Sequence, residues 1–436
     1  MHRAGYRLLL RPSGPSAHEN APAATSPEAT EPSGEEAQAA KLPDKPSVAV
    51  MPLRALSGHA TEALIAEGIA RDVMVALARA RWLFVSARAS AAVVASKTSD
   101  TSEVSRRLGV RYVLDGAVIV SADRLRLSVT LTDAIEGGEV WGERFDGGLD
   151  ELFTVMDNIA GHVAGAVEAE IEHHERQRAL LRPLASLDAW GAYHRAMHSS
   201  VGGTGAELDA AIGLFSRALE LDPNSSRVLS GFAALHARRC LLVGEERRGE
   251  ELERAAELAK QSIAADSRDP QACLAFGRVC TLRGDRQQAT RHLSEAVRLN
   301  PSLSHGHFYL GYSQMFSRDY DDALARVDAA ERLSPYDPMT FAFVSLRAQI
   351  LSLRGEVEAG ADWAERALDH PNAHFQNLMI AAWCCARADR LESAARHATA
   401  ARKLRPDFKR QDYLKAFMFD HNDSARIDEA LAVSGF

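Results

Sequence analysis

The chain has 436 residues, of which 46% are hydrophobic, 25% charged and 6% aromatic. These fractions exclude a fibrous or wholly disordered polymer and predict two or three domains at roughly 100–200 residues each. Lys and Arg number 51 against 59 Asp and Glu, a formal net charge of −8, which excludes nucleic-acid binding as the task of the whole chain. No apolar run reaches the ~18 residues of a membrane span, and residues 1–10 lack the apolar core of a signal peptide. The five cysteines are odd in number and form no Cys-x-x-Cys pair. The expectation is a cytoplasmic chain with reduced thiols and no membrane partner.

From Pro12 to Pro46 the composition turns to Pro, Ala, Ser, Glu and Thr, too poor in large apolar side chains to offset the entropy of ordering, so residues 1–46 read as a disordered linker. Ser47–Leu53 is a short β-branched run stopped by Pro52, hence a buried strand. Leu64, Ile65, Ile69, Val73 and Leu77 recur at helical spacing over 62–81, which predicts an amphipathic helix. Trp82–Val85 reads as a second strand, and Ser102–Leu108 as a short helix closed by Gly109. Three strands follow over 111–120, 124–132 and 140–145, with Leu125, Leu127, Val129 and Leu131 alternating onto one face. A long helix over 149–175 closes the unit, so residues 47–175 are expected to form an α/β sandwich domain.

Beyond Ser186 the strand signals stop and a pattern recurs: Ala, a large residue four on, Ala three further, then Pro. Ala211-Phe215-Ala218-Pro223, Ala289-Leu293-Ala296-Pro301, Ala323-Val327-Ala330-Pro335 and Ala394-Ala398-Ala401-Pro406 fit at all four positions. Weaker copies start at Ala255 and Gly360. Ala255, Ala289 and Ala323 lie 34 apart, as do Gly360 and Ala394, the period of the tetratricopeptide repeat. Gly277 and Gly311 sit twelve before Ala289 and Ala323, where a small residue lets the second helix of each pair pack closely against the first. The interval from Ala211 to Ala255 is ten residues too long, and the surplus reads as a charged loop over 241–249. An all-α tetratricopeptide-repeat solenoid of about six repeats is therefore expected over 186–408, with 409–436 as a C-terminal capping segment.

Pro46–Leu53, Ala66–Ile69, Leu108–Gly116 and Trp141–Asp146 together resemble the TolB-like amino-terminal domain of many bacterial regulators. A TolB-like domain followed by tetratricopeptide repeats resembles the carboxy-terminal half of two bacterial groups. One carries an OmpR-type winged-helix DNA-binding domain in front, the other a class III adenylate cyclase domain. The tail Glu429–Phe436 is similar to the closing segment of that group. Gly5-Tyr6-Arg7-Leu8 resembles the last wing strand of an OmpR-type domain and, more loosely, the strand ending some cyclase domains, so residues 1–46 are read as carrying a remnant of an upstream domain. The resemblance implies a non-catalytic regulatory and interaction protein, the sensor and protein-binding half of a bacterial transcription regulator that reaches DNA only through a domain missing from these residues. The alternatives are the regulatory half of a class III adenylate cyclase lacking its catalytic domain, and a free-standing scaffold.

No Gly-x-Ser-x-Gly, His-Glu-x-x-His or paired-carboxylate constellation is present, so no catalytic residue, metal or cofactor is expected. His194 and His198 have metal-ligand spacing but no third ligand in register. His173, His174, His305 and His307 read as solvated helix faces, Gly202–Gly205 as a loop, and Cys273 and Cys280 as core. In the tetratricopeptide family the inner face of the first helix of each pair lines the groove. Those positions are Gln271, Leu274, Arg278, Thr281 and Leu282 in the third repeat, His305, Phe308, Tyr312, Met315 and Phe316 in the fourth, and Gln376, Met379, Trp383, Ala386 and Arg387 in the sixth. Aromatics and Met beside Arg make binding hot spots, which selects Arg278, Phe308, Tyr312, Met315, Phe316 and Trp383 as the groove that holds a protein or peptide. The competing reading packs the same side chains against neighbouring helices. Oligomerisation is compatible with either.

Overall fold

The computed structural model describes residues 42–436 apart from 44, 58–59, 122–123, 149–151, 203–204, 244, 336, 338 and 418. The Gly5–Leu8 strand and all but the end of the expected linker lie outside the described residues. Strand β1 (Ser47–Val50) is buried along its whole length, because it runs inside a sheet covered on both faces. Val48 and Val50 enter one apolar layer, Ala49 and Met51 the other, as the two-residue period of a strand requires. β2 (Arg54–Ala55) resumes the same direction beyond Pro52, which has no N–H to give to a ladder.

Helix α1 (Ala60–Leu77), strand β3 (Phe84–Val85), helices α2 (Arg88–Ala95) and α3 (Thr101–Leu108), strands β4 (Tyr112–Ser121), β5 (Arg124–Asp133) and β6 (Gly138–Gly148), and the long helix α4 (Leu152–Leu181) complete this half. The sheet order is β3-β1-β4-β5-β6, with β2 beside β4. β1 pairs in parallel with β3 and β4, and β5 pairs antiparallel with both β4 and β6. α1 and α4 cover one face through Ile69, Val73, Val163 and Val167; α2 and α3 cover the other through Ala91, Val94 and Val104. The result is a mixed sheet between two helical layers, with β2 and α2 added to the expected elements. Gly109 takes φ 63° to close α3, as its position implied.

The remainder is helical. α5 (Ala189–Gly202) pairs with α6 (Gly205–Leu221), α7 (Ser226–Arg239) with α8 (Glu245–Ala265), and α9 (Pro270–Arg283) with α10 (Arg286–Leu299). α11 (Ser304–Phe316) pairs with α12 (Tyr320–Leu333), α13 (Thr340–Arg354) with α14 (Val357–Ala367), and α15 (Phe375–Arg387) with α16 (Leu391–Leu404). Two shorter helices, α17 (Arg410–Ala416) and α18 (His421–Val433), end the chain. Ala211, Phe215, Ala289, Leu293, Ala323, Val327, Ala394 and Ala398 have no exposed surface, so the recurring Ala and the residue four on are the contact face of these four hairpins. A Cβ on Gly277 would stand 2.7 Å from Leu293 Cγ, which is why that position is small. In the fifth pair the roles reverse: Gly360 lies on the second helix, against Ser352 and Ala348 of the first.

The charged segment after Cys240 is not the loop expected over 241–249. α8 begins at Glu245, runs 21 residues and contains Gly249. Glu246, Arg247 and Glu250 are good helix formers, and Glu251 fixes the first turns to α7 through His236 at 2.6 Å and Arg239 at 2.7 Å. Only the short turn around Leu241–Val243 is left to connect the pair.

Helix α4 lies against the turns between repeats. Ser302 Oγ donates to the Gly161 carbonyl at 3.2 Å, Gly165 lets the Leu333 carbonyl approach, Asn300 Nδ2 donates to Glu168 at 3.3 Å, and Glu172 pairs with Arg227. Trp82 stacks on Trp190 with centroids 5.6 Å apart, and the Arg227 guanidinium lies 5.4 Å over Trp82. Among the described residues no helix is long and apolar enough to cross a membrane.

Gly277→Ala is expected to cost about 1–3 kcal/mol and to lower the melting temperature. Leu293→Ala should cost less in that background than in the wild type, because it relieves the clash; equal costs in the two backgrounds would exclude close packing as the reason for the glycine. The docking contact supplies a second test. Burial raises Glu168 to about 7, against the opposing pull of Asn300 and Arg227. A carboxyl raised in the folded state binds more protons there than when unfolded, so its contribution to stability falls as pH climbs from about 4.5 to about 7. Glu168→Gln should therefore stabilise the protein by ~1–3 kcal/mol at pH 8, with the gain shrinking severalfold at pH 5 in paired thermal melts.

Candidate ligand groove

Helices α7, α9, α11, α13 and α15 are the first helices of successive hairpins, and their inner faces converge on a cavity of about 190 Å³. Arg278, Phe308, Tyr312 and Phe316 line it together, as do Thr281, Leu282 and Gln376 of the wider inner-face set. The rings form a continuous surface: Phe308 and Tyr312 have centroids 5.9 Å apart, Tyr312 and Phe316 5.1 Å.

Met315 and Trp383 do not belong to this surface. They are 1% and 0% exposed, within the hydrophobic core. Trp383 is covered because α18 packs on α15 and Tyr413 of α17 lies over it, its hydroxyl accepting the indole N–H at 3.2 Å. The inner face of the sixth repeat is thus occupied by the chain's own C-terminal helices.

The groove is also bridged across its mouth. Gln376 Nε2 donates to the Leu241 carbonyl at 2.6 Å, and Arg405 Nη1 to the Leu242 carbonyl at 2.9 Å, which ties the α7–α8 turn to the sixth repeat. Arg248 donates to the carbonyls of Lys415 and Ala416, tying α8 to α17. Phe417 reaches Tyr312 with centroids 6.3 Å apart. Arg238 is missed because it lies in the second repeat, whose longer second helix α8 breaks the spacing from which inner-face positions are counted. Leu241, Leu242 and Phe417 lie outside any repeat position.

Two guanidiniums reach this apolar space. Arg278 lies 4.8 Å over the Tyr309 ring and donates to the Ala234 carbonyl at 3.2 Å. Arg238 donates to the Ser200 carbonyl, and burial, then the like charge of Arg278, lower its pKa. His374 is brought down to about 4 by burial and by Arg238, so it is neutral at pH 7. None of the described lining residues is an aspartate or a glutamate. Gln349 is 1% exposed and its Oε1 has no hydrogen-bond partner.

The histidines separate. His194 is buried, held neutral at about 3 by burial and Arg176, whereas His198 is exposed, so the two share no ligand site. His173 is exposed, but His174 Nδ1 lies 3.0 Å from the Tyr112 hydroxyl, not on a solvated face. His305 faces Asp337 at 3.2 Å, and His307 is buried against the Pro301 carbonyl at 2.9 Å; both depart from the solvated reading because they pack into the turns between hairpins. Glu365, Cys385 and His397, and Asp133, Glu136 and His174, bring ligand-type atoms within 4.8 Å of one another. Glu365 already pairs with His397 and Arg390, and Asp133 and Glu136 with Arg111. All five cysteines are free and buried.

No protein-family model matches the chain. A curated protein described as putative adenylate cyclase 3, from Rhizobium meliloti (strain 1021), is 32% identical over 238 residues, which cover 53% of this chain and 39% of that protein. The chain thus spans about two fifths of the length of the curated relative it matches. Among solved structures, pilF of Pseudomonas aeruginosa overlaps 51% of this chain and 95% of its own at 18% identity and a TM-score of 0.35. A tetratricopeptide repeat protein from Parabacteroides merdae ATCC 43184 overlaps 66% of this chain and 96% of its own at 11% identity and 0.39. YrrB, described as a tetratricopeptide repeat protein with an unusual peptide-binding site, overlaps 46% and 96% at 19% identity and 0.29. The hairpin repeat itself is defined by this chain's own Ala, Leu and Gly contacts.

Trp383→Ala is expected to cost about 3–5 kcal/mol and to lower the melting temperature sharply. An unchanged melt would return Trp383 to the groove surface.

Proposed function

We propose that the chain is a non-catalytic regulatory and interaction module working in the cytoplasm, in which the mixed α/β half is the sensor or coupling element and the helical half the binding element. The observation that carries this reading is the set of hairpins curved around an aromatic cavity. Stacked helix pairs present a long inner surface fixed by their packing, suited to holding a partner by shape. The TolB-like resemblance of the first half, read from its sequence motifs, supports the coupling role. A protein or peptide partner fits the exposed faces of such an array, and the net charge of −8 disfavours direct contact with nucleic acid.

A second, finer reading is favoured by one comparison: the match to a putative adenylate cyclase supports this chain as the regulatory portion of a cyclase. That gives the cyclase reading an observation which the winged-helix reading, resting on Gly5–Leu8, does not have. The cyclisation of ATP would then be performed by residues outside this chain.

The test uses the intact purified chain. Incubated with ATP and magnesium or manganese, it should form no cyclic AMP; sustained formation would overturn the non-catalytic reading. Added to a form of the Rhizobium relative that lacks the matching segment, it should bind in sedimentation and change cyclic AMP output by about fivefold or more. Absence of both binding and response would remove the cyclase reading.

A further inference from the structure

We propose that Glu365, Cys385 and His397 form a binding site for a divalent cation of the zinc class, held between the fifth and sixth hairpins. The inference is independent of what the chain regulates and of what occupies the groove.

Geometry is the first argument. The three residues come from three helices, α14, α15 and α16, and one ligand-type atom of each lies within 4.8 Å of the other two. Around a tetrahedral ion with bonds of about 2.0–2.3 Å, neighbouring ligand atoms stand about 3.3–3.8 Å apart. His397 Nε2 and Glu365 Oε1 are already at 3.2 Å, so completing the shell asks for a shift of about 1.5 Å or less at the sulfur, within reach of side-chain rotation. The sulfur is the floor of the site and the other two groups its rim: Cys385 has no exposed surface, whereas the His397 and Glu365 side chains are 15% and 35% exposed. An ion arriving from solvent meets carboxylate and imidazole first and keeps its outer position for water. Once bound, it would staple α14 of the fifth hairpin to α15 and α16 of the sixth.

Ligand chemistry is the second argument. A thiolate, a neutral imidazole and a carboxylate together balance the two charges of the ion. Sulfur and nitrogen favour zinc-type ions over magnesium or calcium, which take oxygen. Coordination sends the Cys385 thiol proton to solvent. The other grouping of ligand-type atoms, Asp133, Glu136 and His174, has no sulfur, and Arg111 lies 2.6 Å from both of its carboxylates, with Arg178 3.1 Å from Glu136. A cation there would face two guanidiniums at contact distance.

Charge is the third argument. Glu365 is the loosest of the three carboxylates around Arg390, at 3.5 Å against 2.6 Å for Glu358 and 2.7 Å for Asp362. Transferring Glu365 to an ion therefore leaves Arg390 paired with the other two. Arg396 also acts electrostatically on Cys385, and its Nη2 is turned to Ser393 Oγ at 2.9 Å. Among these groups three carboxylates face two guanidiniums, a balance that is negative before the thiol ionises.

The experiment is titration of the intact, reduced chain with cobalt(II), followed by displacement with zinc. One equivalent of cobalt should produce thiolate-to-cobalt charge transfer in the near ultraviolet and strong four-coordinate d–d bands, and zinc should abolish both. Cys385→Ser should remove the charge-transfer band, whereas Cys273→Ser, in another hairpin, should keep the full spectrum. His397→Gln and Glu365→Gln should each weaken binding by about tenfold or more. Because Cys385 is buried and its variant can fail to fold, these two rim variants, checked by circular dichroism without metal, carry the test by themselves. Zinc should also raise the melting temperature of the wild-type chain and leave that of Glu365→Gln nearly unchanged at the same concentration. No charge-transfer band from the wild-type chain, a band that survives Cys385→Ser, or affinity unaffected by both rim variants would overturn the proposal and leave these side chains as an ion-pair ladder between repeats.

Discussion

Four main-chain carbonyls, those of Leu241, Leu242, Lys415 and Ala416, accept hydrogen bonds from Gln376, Arg405 and Arg248 and hold the curve of hairpins shut. Most of these donors are charged, and such bonds are worth about 1.5–3 kcal/mol each against roughly 1 for neutral ones. Their effect exceeds their number because each joins residues far apart in the chain. Without them the inner faces of α9, α11 and α13 would line an open channel, and the Phe308–Tyr312–Phe316 surface would be wet. With them the same rings line a partly enclosed recess, where an arginine is a stronger electrostatic element than it could be in water.

That recess accounts for the otherwise costly placement of Arg238 and Arg278. Taking guanidiniums out of water is unfavourable unless their donors are satisfied. Here the chain meets part of the requirement with carbonyls, Ser200 for one and Ala234 for the other, and with the Tyr309 face beneath Arg278. Burial, then the like charge of Arg278, lower the pKa of Arg238 against the opposing pull of Tyr309 and Glu207. Both bonds run between neighbouring hairpins, from α7 to α5 and from α9 to α7.

Much of this architecture was legible in the sequence because its determinants are local. The Ala and large residue of the second helices, Gly277 opposite Leu293, and the Gly109 terminator act within a turn or between adjacent helices, and each leaves a mark at fixed spacing. The closure left no such mark, since its acceptors are carbonyls that every residue owns. An inner-face position ordinarily faces solvent, but α17 and α18 cover Trp383 of the sixth repeat with residues outside the repeat pattern, and Met315 of the fourth is packed into the core between hairpins. Arg318 and Asp389 teach the same lesson in the backbone. They take positive φ, 66° and 58°, at the turns where Gly284 and Gly355 do so in other repeats, and nothing in their side chains announced it. Departures from the period were the informative signal: the ten surplus residues before Ala255 extend α8 and put Leu241 and Leu242 where they can reach across.

Helix α7 then connects the two halves. Arg227, near its start, pairs with Glu172 on α4 and stacks over Trp82; Arg238, near its end, lines the cavity. Eleven residues separate them, which on a helix is about three turns, roughly 16 Å, and returns to nearly the same face. A packed helix is a stiff rod, so the groove at Arg238 and the contact at Arg227 are held by one element. At that end the receiving surface is polar and compact: Glu172, with Glu168 nearby held at about 7 by burial and bonded to Asn300. Ionic contacts of this kind have strong distance dependence in a partly dry interface, whereas an apolar face would slide with little change in energy. Charged contacts thus stand at both ends of one helix, Glu172 against Arg227 and the Ser200 carbonyl against Arg238.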